Sequence, residues 1–566
     1  MSEPEPEPEP EPELEIRTAR GRMTLAAALD LEYDVLPVLT SRQTQLAFLR
    51  DTEERPQQIL ALVSRHLGIA TSNCVLTPSS EWIFGTFNLC LPITILDTRS
   101  GRLPPRVVMR LAVPQKSGES FAPGTVDEKL RCEAATYVWL ERECPMIPIP
   151  RLLGIGFPGC QSFTRIENES WLHWMRWQVR RVLVWLRGDT LPDFYAHHRS
   201  AAQDLGYILI EYVEHGAMLS SSWREHFDDS TKRKNLYAGL ANIMLNLSRV
   251  PLPRIGSWTM GNEGTISLTN RPFIDLNACW ARDRIPLRIP RDRTYSSTGS
   301  YLQDLLAYQD ARMQHQPNSI LSRKDGLYQL SALVGLRAIL PQIFKPESVR
   351  EQYALHLCDL HQSNIFVDDD WNITRIIDFE FACSYPIELF HVPHWLTDRS
   401  MDELRGPEEV KYKAAYDQFV NSVAEREGAT QGTSTLSQLL REHWSSGRMW
   451  CVAALGSVNG FPLIFSHHLR PRYIKEWDLE SHAGPLAQLW SENVSEFLEA
   501  KARDFQDYER KVREVFMEVA AIEHGQSAVR ECLPSNASEV AKVEEPPVNA
   551  PLCSAEEIGG GEKPKD

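Results

Sequence analysis

The stretch LHLCDLHQSNIFVDDDWNITRIIDFEFA, Leu355 to Ala382, constrains this chain more than any other segment. Two short apolar runs flank the turn sequence DDDWN and read as a hairpin, with a polar loop in front of it. Asp368 to Asp370 suit the turn, because short carboxylates bond their own backbone there. Asp359 lies five residues before Asn364 and could also be a turn former, but Asp378, at the end of the apolar pair Ile376 and Ile377, is harder to explain that way. An unpaired carboxylate in apolar surroundings is costly, and a divalent cation removes that cost. In this pattern Asp359 can orient a hydroxyl and take its proton, while Asn364 and Asp378 can hold metal ions beside a triphosphate.

D-L-H-x-x-N, a hairpin and I-I-D-F-E together resemble the aminoglycoside phosphotransferase family, the small-molecule branch of the protein-kinase-like fold. The chain is most similar to the large fungal branch, where DLHQSNIFVD, IGSW and NRP recur together; the last two are Ile255 to Trp258 and Asn270 to Pro272 here. The resemblance runs from near Leu60 to near Leu396. It implies an α+β, two-lobed protein-kinase-like fold with a small mixed N-lobe sheet and a larger, mostly helical C-lobe. It also implies transfer of the ATP γ-phosphate to a hydroxyl of a small molecule, with ATP and Mg²⁺ as cofactors. Asp359 would be the catalytic base, Asn364 and Asp378 the metal ligands, and Glu380 of the DFE triplet a group reaching metal through water. The acceptor is not implied, because a fold does not carry its substrate with it.

GTFNLCLPITI, from Gly85, reads as a strand, turn and strand over the nucleotide phosphates, although one glycine alone equally marks a simple hairpin turn. Arg110 sits mid-strand in RVVMRLAVP, and Glu133 in the helical segment EKLRCEAATYVWL is its candidate partner. The resemblance makes them the ion pair that positions phosphates. It also carries the strand YILIEYVEHG into a hinge, where the backbone near Glu211 to Val213 would bond adenine.

Kinase-like loops carry His two residues before the catalytic Asp, and here Leu357 and Cys358 fill that position and the next. His361 follows the D-L-H pattern of small-molecule kinases and is expected to be a packed structural residue more than a proton carrier. Two other readings therefore stay open. One is a catalytically weak nucleotide-binding or scaffold protein. The other is a protein kinase, against which His361 and the absence of an A-P-E segment weigh.

Of 566 residues, 42% are hydrophobic and 24% charged, ordinary globular usage. A formal charge of −16 argues against general nucleic-acid affinity. The 11 cysteines contain no C-x-x-C pair, which favours free thiols and a reducing compartment over a disulfide framework. No run is long enough to span a membrane, and the acidic, proline-rich start is unlike a signal peptide. The expected address is the cytoplasm.

The expected organisation is a disordered Glu/Pro tail over 1–20, a helical extension over 21–75 and an N-lobe over 76–215. A helical C-lobe over 216–523 and a second disordered tail over 524–566 complete it. The period of Trp490, Val494, Phe497, Leu498, Phe505, Tyr508, Val512, Phe516 and Val519 predicts a long helix packed on the C-lobe. An insertion at 160–205 interleaves Trp171, Trp174, Trp177 and Trp185 with Arg176, Arg180, Arg181 and Arg187. Its expected role is a helix whose tryptophans cap the lobe while arginine stems cover its edge, in preference to peripheral membrane contact.

Overall fold

The computed structural model describes residues 14–18, 21–99, 101–159, 161–197, 205–345, 352–428, 436–457, 459–476 and 479–531. The Glu-Pro repeat up to residue 13 and the segment after residue 531 lie outside them.

Arg106–Ala112 and Leu152–Phe157 run in the same direction on either side of the helix Thr125–Glu143, but they do not pair. Tyr207–Glu211 enters between them and pairs antiparallel with both. This inserted strand is why the expected small mixed sheet is instead an eight-stranded, wholly antiparallel one among the described residues. On one side it continues to Asn88–Ile95, which pairs with Cys74–Leu76 and Ile83–Phe84. On the other it continues through Gln161–Arg165 to Phe194–His197, so the insertion supplies two strands as well as a helix.

Glycines in LLGIGF let other elements approach that strand closely. A Cβ on Gly154 would lie 2.4 Å from the His66 ring. His66 ends the helix Pro56–Leu67 and ties it to the sheet, with Nδ1 2.8 Å from Thr164 Oγ1 and Nε2 2.8 Å from the Tyr207 hydroxyl. Burial lowers its pKa to about 3. In the unfolded chain the same imidazole takes a proton below about pH 6.5, so its contribution to stability is present at neutral pH and lost as pH falls toward 3. Between about pH 7.5 and 5 this one group is expected to cost about 2 kcal/mol. The check is the pH dependence of urea unfolding, which should be less steep by that amount in His66→Gln than in the native chain. Parallel profiles would show that His66 is not the group responsible.

The helix Thr125–Glu143 is buried on almost every side, because the hairpin Ser257–Met260 and Ile266–Asn270 covers the face turned away from the sheet. Ser230–Ser248, Thr298–His315, Arg323–Ile343 and Pro407–Gly428 are the longer helices of the remainder and share one apolar core with it.

Val494–Glu531 forms the predicted long helix, but it packs in two places. Val494 and Leu498 join the main core; Tyr508, Val512 and Phe516 pack against Ile16, Tyr33 and Val35 near the start of the chain. Both expected tails are therefore shorter than predicted. Ile16, just beyond the Glu-Pro repeat, pins a strand at Glu15–Thr18, and the helix extends past His524. None of the described cysteines is in a disulfide.

The tryptophan-rich segment is a helix, Trp171–Trp185, but its expected capping role holds for Trp177 alone. Trp177 is buried and donates from Nε1 to the Pro192 carbonyl at 3.0 Å, while Trp171, Trp174 and Trp185 face outward. Around the helix Trp171, Trp174 and Trp185 lie within about 60° of one another and Trp177 about 60° beyond Trp174, so the side that buries Trp177 leaves the other three outside.

Candidate active site

Two small sheets fix the 358–364 loop against the segment that carries Asp378. Tyr353–Leu357 pairs with Ala382–Pro386, bringing Leu357 opposite Ala382, and Ile365–Val367 pairs with Ile373–Ile376. The hairpin turn is closed by Asp368 Oδ1, which accepts from the Asp370 and Asn372 amides. Ile377 N–H donates to the Asn364 carbonyl at 3.0 Å, and Asn364 Nδ2 donates to the Asp359 carbonyl at 2.9 Å. One backbone bond and one side-chain bond thus hold Asp359, Asn364 and Asp378 together. Asp378 has φ of +70°, a left-handed conformation that Asp tolerates better than most residues. Non-glycine residues held there cluster at functional sites.

Arg110 reaches this segment from the sheet. Its guanidinium bonds Glu133 through Nη1, and its Nη2 lies 2.8 Å from Asp378 Oδ1. Lys129 joins from the same helix as Glu133, with Nζ 2.6 Å from both Glu380 Oε2 and Asn88 Oδ1. Asn88 Nδ2 donates to the same Glu380 oxygen at 3.1 Å. Arg110, Lys129, Glu133 and Glu380 are sealed from solvent, whereas the Asp359 and Asp378 side chains are 22% and 21% exposed. Both carboxylates of the catalytic-loop pattern are thus reachable.

Charge in the site is unbalanced. Burial and the neighbouring carboxylates of Asp275, Asp378 and Glu380 hold Asp359 well above the usual carboxylate range. Burial and Asp378 push Glu380 up to about 8 despite the Lys129 ammonium. Burial also raises Asp275 to about 6. Asp378 alone of the cluster stays low: burial opposes its charge, but Arg110 and Lys129 outweigh burial. Carboxylates from Glu133, Asp275, Asp359, Asp378 and Glu380 thus face two cationic side chains. Oxygens of Glu133, Asp378 and Glu380 lie within 4.8 Å of one another, and Glu380 Oε1 is buried without a hydrogen-bond partner. An all-oxygen donor set with excess negative charge fits a hard divalent cation such as Mg²⁺.

His361 supports the loop. Ser363 N–H donates to its Nδ1 at 3.2 Å, and its Nε2 lies 3.3 Å from Asn364 Nδ2 and 3.6 Å from Asp359 Oδ1. Burial lowers its pKa, although the Asp378 carboxylate opposes the shift. His356 points away from the loop and packs on Phe390 and Tyr385. Cys358 instead meets Cys383 of the paired strand, sulfur to sulfur at 3.4 Å.

Gly85 lies in the turn before Asn88, and its N–H donates to the Asn88 carbonyl at 2.8 Å. The hairpin belongs to the site, because Asn88 reaches Glu380. Glu211 and Val213 lie apart from the cluster at the end of the central strand, where the Glu211 amide bonds the Arg151 carbonyl.

The segments IGSW and NRP brace the site. Ser257 Oγ donates to the Ala382 carbonyl at 3.1 Å, and Gly256 exchanges backbone bonds with Ser384. Arg271 makes a two-pronged, buried ion pair with Glu128 at 2.8 and 2.7 Å, and Asn270 bonds the same carboxylate. One motif therefore holds the strand after Asp378, and the other holds the helix carrying Lys129 and Glu133.

No family model matches the chain, and no curated protein matches it. Among solved structures, it is similar to a thermostable mutant of the aminoglycoside phosphotransferase APH(4)-Ia in ternary complex with AMP-PNP and hygromycin B. That match has a TM-score of 0.33 and 11% sequence identity, and covers 79% of this chain and 98% of the other.

Sequence reasoning passed over Lys129, Asn88 and Asp275. Lys129 carried a usable signal, since it lies four residues before Glu133 and so shares its helix face. Asn88 and Asp275 had none, because their partners are remote in sequence.

Proposed function

We propose that this chain is an ATP- and Mg²⁺-dependent phosphotransferase acting on a hydroxyl of a small molecule. The observation that carries this reading is the pair of accessible carboxylates, Asp359 and Asp378, set on either side of Asn364 in a site with surplus negative charge. Asn364 and Asp378 are assigned to hold Mg²⁺, with Glu380 behind Asp378. The metal, when bound, supplies positive charge that neutralises phosphate oxygens during transfer.

The protein's own groups do the rest. Asp359 accepts the proton of the acceptor hydroxyl and aims its oxygen. Arg110, held between Glu133 and Asp378, sets a fixed positive charge behind the carboxylate that faces the nucleotide phosphates. Lys129 stays on Glu380 and Asn88 and keeps the turn around Gly85 docked over the carboxylates. The hinge assignment of Glu211 and Val213 to adenine rests on the family resemblance of the strand that carries them.

The test is phosphate transfer from γ-labelled ATP with Mg²⁺, offered in parallel to hydroxyl-bearing metabolites and to a peptide array. Label is expected in a metabolite and to vanish when Mg²⁺ is chelated. Label confined to peptides would overturn the small-molecule reading.

A further inference from the structure

Helix Trp171–Trp185 and the following Leu186 carry nine of the nineteen exposed large apolar side chains found among the described residues. They include Trp171, Trp174, Met175, Val182, Trp185 and Leu186, between 48% and 71% exposed. At about 100° per residue, His173, Trp177, Arg180 and Val184 share one side of this helix. That side is the one attached to the protein. Trp177 is buried, His173 stacks on Tyr195 with ring centres 4.3 Å apart, and Arg180 bonds Glu263. The outward apolar residues sweep about half the circumference, from Trp174 round to Leu183.

Arginines border this arc. Arg176 and Arg187 lie along one edge and Arg181 along the other, all exposed, and no Asp or Glu occurs between Ser170 and Gly188. A contiguous exposed apolar surface of this kind marks an interaction site. Its chemistry selects the occupant. Tryptophans and aliphatic chains at the centre, guanidinium groups at the rim and a helix lying along the surface match the boundary between lipid headgroups and acyl chains. The helix is too short and too charged to span a bilayer, and no helix among the described residues is long and apolar enough to do so. It can lie in the plane of one.

Positive charge on this face stands out against a chain of net charge −16. A neutral apolar partner would leave the arginine rim unused, whereas an anionic bilayer uses both parts. The Glu-Pro repeat could pair with the arginines, but apart from its proline rings it has no apolar side chain to cover the tryptophans and aliphatic chains.

We infer that the outward face of helix Trp171–Trp185 docks the protein in-plane on membranes containing anionic lipid, with Trp171, Trp174 and Trp185 inserted and Arg176, Arg181 and Arg187 at the headgroups. The test is sedimentation of the full chain with vesicles of phosphatidylcholine alone and of phosphatidylcholine with phosphatidylserine. The native protein is expected to pellet with the second kind. Replacing Arg176, Arg181 and Arg187 together by Gln should weaken that binding about a hundredfold. Trp171→Ser, Trp174→Ser and Trp185→Ser combined should weaken it at least about tenfold. These side chains lie at the surface, and an unchanged melting temperature confirms that each variant is folded. Native protein remaining in the supernatant with phosphatidylserine vesicles, or binding unchanged in both variants, overturns the inference. So does a tryptophan-dependent dimer in sedimentation velocity that binds no vesicle, which would make a second copy the occupant.

Discussion

Replacing Asp359 by Ala is expected to leave ATP and Mg²⁺ binding close to that of the native chain and to reduce phosphate transfer by about two to four orders of magnitude, the loss typical of a positioned base. The separation follows from how the loop is held. Asn364 bonds the Asp359 carbonyl, which alanine retains, and the side chain contributes only a long approach to His361. The substitution also removes an acid that burial and neighbouring carboxylates already disfavour as an anion. Thermal stability should therefore be unchanged or higher. Single-turnover transfer and nucleotide titration on the same sample check both halves. Undiminished transfer would remove Asp359 from the chemistry. Native protein that binds nucleotide but transfers phosphate to no tested metabolite would favour the scaffold reading, with Leu357 and Cys358 as the altered part of the loop.

Local pattern carried much of this site. The apolar run around Arg110, the helical segment through Glu133 and the DDDWN turn each specify an element within a few residues, and each element forms where the sequence places it. An arginine among apolar strand residues needs a buried partner, so the Arg110–Glu133 pair was also legible. What local pattern could not carry is the closure of the network. Asn88 meets Glu380 across 292 residues, and Arg271 meets Glu128 across 143. Nothing in either segment announces the other.

The sheet and the tryptophan helix were misjudged for a related reason. Strand periodicity fixes which residues face inward but not which neighbour a strand chooses, and the entry of Tyr207–Glu211 between two like-directed strands is a decision of the whole chain. Likewise a helix with apolar residues on most of its circumference must bury one side. Sequence alone does not say which side the protein keeps. The hydrogen bond from Trp177 to Pro192 decides it here, and leaves the wider arc outside.

Asp378→Asn is expected to abolish Mg²⁺-dependent turnover while the protein stays folded. Asparagine is the informative replacement because residue 378 sits at φ +70°, a conformation that Asn adopts readily and that alanine would strain. The change removes one negative charge from the site and leaves its shape. Arg110 keeps its partner Glu133, so no cation is stranded, and the Lys129 pair with Glu380 is untouched. Glu380 loses a repelling neighbour, so its carboxyl should ionise at a lower pH than in the native chain. A folded variant whose turnover fails at every Mg²⁺ concentration would tie the loss to the metal-binding carboxylate. If added Mg²⁺ restored full turnover, Asp378 would be an affinity-tuning neighbour, and the principal ligand would have to be sought between Glu133 and Glu380. Turnover equal to the native rate at all Mg²⁺ concentrations would sink the metal assignment, leaving Asp378 as the counter-charge that keeps Arg110 in place.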